Sequence, residues 1–72
     1  MTVEEKIKML EEMMELDEGT LRLETRLEDI PEFDSMAKLS LIVLFDDEFS
    51  KKLTGEEIKS FVSVGDIVSA MG

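Results

Sequence analysis

Cysteine and histidine are both absent from this chain of 72 residues. Without cysteine, neither a disulfide framework nor a thiolate metal site can reinforce a domain near the lower size limit for a self-supporting core. Without histidine, the usual general base and the commonest metal ligand are missing. Long hydrophobic runs are missing too. No stretch approaches the roughly 20 apolar residues of a membrane-spanning helix, and the opening "MTVEEKIKML" is too acidic for a secretory signal. The expectation is a soluble, cytoplasmic protein without membrane insertion, forming a single domain over residues 1–72.

Positive charge is scarce: 8 lysines and arginines face 18 aspartates and glutamates, a net charge of −10. Phosphate backbones and anionic membrane surfaces would be repelled, which argues against nucleic acid as a partner. A basic protein surface would be attracted, and its approach steered at long range. The same charge also serves solubility.

What is present is helical patterning. "TVEEKIKMLEEMMEL" opens with Thr2 and places Glu5 three residues later, a capping-box pattern. Val3, Ile7, Leu10 and Met14 recur at helical spacing, predicting a first helix from Val3 to Leu16 that stops near Gly19. Residues 17–34 read as a long connection. "TLRLET" alternates weakly like a strand but has no evident partner. Leu21, Leu23, Leu27, Ile30 and Phe33 are candidates to pin this loop by packing, and Pro31 resets the chain direction.

A second helix is predicted from Ser35 to about Ser50, with Asp34 as its N-cap. "LSLIVLF" alone is also compatible with a buried strand, but Leu39, Ile42, Phe45 and Phe49 continue the helical spacing beyond that run. The continuous apolar segment Leu41–Phe45 implies burial on several sides. Thr54 with Glu57 predicts a short third helix, with Ile58, Phe61 and Val62 on one face. Ser63 caps a fourth, in which Val64, Ile67, Val68 and Met71 share a face and Gly65 weakens the first turn slightly. The expected fold is all-α: a small four-helix bundle with three principal helices, one short helix III and a long first loop.

Ser35 stands at the mouth of the most apolar helix. Free amides and the macrodipole there favour a negative group, so a phosphate ester on this hydroxyl would be tolerated, although Asp34 is itself an anion beside it. No histidine or evident lysine base accompanies the serine, so it is not a nucleophile unaided, and an ordinary first-turn serine is the plain alternative. The chain is not expected to be an enzyme. "DDEF", residues 46–49, lacks the spaced ligands and central glycine of a calcium-binding EF-hand loop. Asp46, Asp47 and Glu48 lie near the helix C-terminus, where the dipole disfavours acids. A solvated face or a docking patch would each account for them.

Asp34-Ser35-Met36, the acidic run Asp46, Asp47, Glu48 followed by Phe49, "TRLEDIPEFDSM" and "GEEIKSFVSVGDIVSAM" follow one another in an order that, over nearly the whole chain, resembles an acyl carrier protein. That is a resemblance to a family. It implies a 4'-phosphopantetheine arm on Ser35, flanked by Asp34 and Met36. A phosphopantetheinyl transferase would install it from coenzyme A with Mg²⁺, and acyl groups would be carried as thioesters in fatty-acid or related biosynthesis. It further implies a monomer recognised through Asp46, Asp47 and Glu48 by basic surfaces of partner enzymes. Met36 stands where leucine is usual, which keeps an apolar docking knob. Ala37, Lys38 and Ser40 also depart from the fatty-acid members, which points to a narrower, dedicated pathway. Because helix III is short, a cleft near Phe45, Ile58 and Phe61 is the expected acyl pocket. An aminoacyl, peptidyl or polyketide cargo, or an unmodified interaction scaffold of the same shape, are the alternatives.

Overall fold

Each of the four α-helices begins at a side-chain cap. In the computed structural model, which describes residues 2–72, they are α1 (Val3–Met13), α2 (Ser35–Phe49), α3 (Gly55–Ser60) and α4 (Val64–Met71). A single 3₁₀ turn at Leu27–Asp29 interrupts the long loop between α1 and α2. The protein is all-α, and no helix among the described residues is long and apolar enough to cross a membrane.

The caps act as the sequence predicts. At α1 the Glu5 amide donates to Thr2 Oγ1 at 3.2 Å, and the Thr2 amide donates to Glu5 Oε1 at 3.0 Å. At α4, Asp66 Oδ2 accepts from the amides of Val62 and Ser63 at 2.8 and 3.1 Å. These bonds satisfy donors that a helix start otherwise leaves unpaired. They also stabilise the charged carboxylates. The Thr2 amide is the main reason the Glu5 carboxyl lies below its ordinary range, and the Val62 amide is the main reason for Asp66. At α3 the box is half-formed: Thr54 Oγ1 accepts from the Glu57 amide, but the Glu57 carboxylate meets the Thr54 hydroxyl.

The first helix ends at Met13, short of the predicted Leu16. Glu15 takes a left-handed conformation (φ 57°), the Leu16 amide donates to the Glu11 carbonyl at 2.8 Å, and the Glu15 amide to the Glu12 carbonyl at 3.1 Å. This is a Schellman closure built on a glutamate in place of the usual glycine. Gly19, the predicted stop, instead sits at φ 88° in the next turn.

The long loop is held by apolar burial and by backbone hydrogen bonds. Leu21, Leu27 and Ile30 are buried and Phe33 is half-buried, as expected of pinning residues, but Leu23 is exposed. Leu23 contributes through its carbonyl, which accepts the Gly65 amide at 2.9 Å. The strand-like stretch "TLRLET" forms no strand: it turns at Leu23 and Glu24, and pairing is confined to the residue that follows it. Arg26 and Ser63 form an isolated antiparallel bridge, in which the Leu27 amide donates to the Val62 carbonyl and the Val64 amide to the Thr25 carbonyl, both at 2.9 Å. The loop's near end is tied to α1, where buried Glu11 accepts the Leu21 amide at 2.9 Å. Residues 21–27 of the loop are therefore tied to both α1 and the α3–α4 junction.

Leu10, Leu41, Phe45, Val64 and Ile67 form the fully buried centre, where α1 packs against α4 and α2. Burying side chains of this size contributes roughly 1.5–3 kcal/mol each before ordering costs. Burial of α2 is less complete than its apolar sequence implies. Met36, Leu39 and Val43 are 72%, 59% and 58% exposed, forming an outward stripe at i, i+3 and i+7. The third helix also differs from expectation. It ends at Ser60, Phe61 is extended (ψ 131°) and half-buried, and Val62 is exposed. The departure from helix after Ser60 is what presents the Val62 carbonyl to the Leu27 amide.

Candidate functional site

The start of α2 is built by Asp34. Its Oδ1 accepts the Ala37 amide at 3.0 Å, and its backbone is extended (ψ −169°), so the chain turns into the helix at the next residue. Because Asp34 makes the cap, Ser35 is not needed as one, and it stands exposed in the first helical turn. Met36 follows it, projecting into solvent. Asp34 and Met36 line a shallow groove against Met13 and Met14 at the end of α1.

Asp46, Asp47 and Glu48 are all exposed on the last turn of α2. The 11 residues from Ser35 to Asp46 make just over three turns, so both lie on nearly the same face, roughly 16 Å apart along the axis. The exposed stripe of Met36, Leu39 and Val43 runs between these two ends. Asp46 also borders a mainly apolar groove with Ile42, Val43 and Leu53. Leu39 and Val43 were not identified as site residues from the sequence, because an apolar run reads as buried. Their exposure shows that one side of α2 stays open.

Ile58 and Phe61 share a surface groove of about 310 Å³ between α2, α3 and the loop. Its apolar walls are completed by Leu27 and Phe33, and its polar lining is Glu28, Lys38 and Lys59. Phe45 is not among the lining residues. It is 1% exposed and packs edge-to-face on Phe49 with ring centroids 5.8 Å apart, which makes it part of the core. The Lys38 ammonium lies 5.8 Å from the Phe33 ring centroid, within cation–π range. Phe33 and Lys59 were not identified as site residues from the sequence. They stand far apart along the chain and meet only through the pinned loop.

Among the described residues, no group of three or more acidic side chains is arranged to hold a metal ion. The arrangement offers an accessible hydroxyl on a fixed helix start, an apolar stripe ending in an anionic patch, and a small groove nearby. No protein-family model, curated protein or solved structure matches the chain.

Proposed function

We propose that the protein is an acyl carrier that bears a 4'-phosphopantetheine arm on Ser35. The observation that carries this reading is the exposed Ser35 hydroxyl in the first turn of a helix capped by its neighbour Asp34. The residues present fit the arm. The hydroxyl is accessible, the helix start favours the negative phosphodiester, and the Asp34 carboxylate is already turned toward the Ala37 amide.

In attachment, Ser35 Oγ attacks the phosphorus of coenzyme A that bears pantetheine. A new phosphorus–oxygen bond forms, the bond to the second phosphate of the pyrophosphate breaks, and adenosine 3',5'-bisphosphate leaves. The serine proton would pass to a base on the transferase, and Mg²⁺ held by that enzyme would offset the charge of the leaving group. Once attached, the arm supplies a terminal thiol for carrying acyl groups as thioesters, a chemistry that a chain without cysteine lacks.

The polypeptide's own work is positioning. Hydrogen bonds tie residues 21–27 of the loop that leads to Ser35 to α1 and to the α3–α4 junction. Asp46, Asp47 and Glu48 present negative charge to basic partner surfaces, while Met36, Leu39 and Val43 supply apolar contact. Incubation with coenzyme A, Mg²⁺ and a broad-specificity phosphopantetheinyl transferase tests the reading by intact-protein mass. Gain of one arm is expected. A protein that never gains it is a helical scaffold and not a carrier.

A further inference from the structure

The groove that contains Ile58 and Phe61 has a charge unlike the rest of the molecule. Acids outnumber cations 18 to 8 in the chain, yet this groove is lined by two lysines and one glutamate. The glutamate is already engaged: Glu28 Oε1 pairs with Arg26 at 3.4 Å, the one ion pair among the described residues. Lys38 and Lys59 therefore have no carboxylate partner. Both are exposed, while Leu27 and Ile58 are buried and Phe33 and Phe61 half-buried beneath them. The Phe33 ring carries the Lys38 ammonium at 5.8 Å. Lys38 follows Ser35 by one helical turn, so the groove mouth lies beside the candidate attachment point.

An apolar floor under two unpaired ammonium groups suits a particular ligand chemistry: methylenes ending in an anion. We propose that this groove receives an acyl chain whose far end is a carboxylate, a dicarboxylic acid joined through one end only. Phe33, Ile58 and Phe61 cover its methylenes, and Lys38 and Lys59 pair with its free carboxylate. The proposal rests on the carrier reading and specifies its cargo. An alternative source of the anion is the phosphodiester of the arm itself, which would meet Lys38 whatever the cargo.

The test compares three forms confirmed by intact mass: arm alone, octanoyl-loaded, and loaded with the suberoyl group of equal carbon count, which ends in a carboxylate. Melting temperature and the NMR resonances of the lysine side chains are read at low salt. The suberoyl form should melt roughly 2–5 °C above the octanoyl form, with Lys38 and Lys59 resonances shifted in that form alone. High salt should remove the difference, as should Lys38→Met combined with Lys59→Met, which keeps the apolar stems of two exposed side chains. If the lysine resonances already move in the arm-only form and suberoyl adds nothing, the anion is the phosphodiester and the proposal is overturned. An octanoyl form as stable as the suberoyl form overturns it equally. Failure to gain any arm, visible at the mass step, overturns the carrier reading and the cargo proposal with it.

Discussion

The Gly65 amide donates to the Leu23 carbonyl at 2.9 Å, which brings the first turn of α4 against the loop that leads to Ser35. A Cβ built on Gly65 would lie 3.1 Å from that same carbonyl oxygen. Helix propensity alone would favour Gly65→Ala by up to about 1 kcal/mol. The close backbone contact should reverse the sign, because the oxygen belongs to the main chain and is held by the hydrogen bond. Gly65→Ala should therefore lower stability by about 1 kcal/mol, read from the urea midpoint. Gly55→Ala, where nothing lies within 4 Å of the new Cβ, should be neutral or mildly stabilising.

At the end of α1 the opposite change is favourable. Glu15 holds a left-handed φ of 57°, a region that disfavours any residue with a Cβ. Glu15→Gly relieves that cost while adding entropy to the unfolded chain. A net gain of roughly 0.5 kcal/mol is expected, visible as a higher melting temperature. A loss would mean that the Glu15 side chain makes a stabilising contribution larger than the backbone relief.

Acid sensitivity should trace partly to the two capping boxes. Hydrogen bonds hold the Glu5 and Asp66 carboxyls below their ordinary values of 4.5 and 3.8. A carboxyl depressed on folding adds stability above its unfolded value and loses it as pH falls through the folded one. The stability difference between wild type and Asp66→Asn should thus be constant near neutrality and shrink as pH drops below about 3.8. Glu5→Gln should behave alike from about 4.5 downward. Denaturant titrations at stepped pH give both curves.

The anionic end of α2 makes a kinetic prediction. Reversing Asp46 and Asp47 to lysine should slow installation of the arm, with roughly a tenfold rise in apparent KM and little change in kcat. Added salt should slow the wild type in the same way, since these acids are exposed. Unchanged kinetics would reduce the trio to a solvated face.

The helix starts were legible in the sequence because a cap is a local event. Thr2, Asp34, Thr54 and Ser63 each bond an amide three residues on. Helix ends were less legible. The Schellman closure at Glu15 uses a residue type that carries no stop signal, and α3 stops at Ser60 to let Val62 bond a residue 35 positions earlier, at Leu27. That pairing, like those of Thr25 with Val64 and Leu23 with Gly65, leaves no mark on hydrophobic periodicity. At the candidate site, Asp34 and Ser35 fall where spacing placed them. Phe45 does not, because one apolar residue within a helical run looks the same whether it faces the core or a groove. The Lys38–Lys59 pair arises only when two helices meet.

The most direct measurement is the mass of the protein purified from its native cells, with fragmentation to locate any added group. The account predicts a chain heavier by one phosphopantetheine arm, placed on Ser35 and absent from Ser35→Ala expressed in the same cells. Because Ser35 is exposed and Asp34 supplies the cap, that variant should retain the wild-type helical content and melting temperature. An unmodified wild-type chain, or an arm that persists in the alanine variant, would contradict the account.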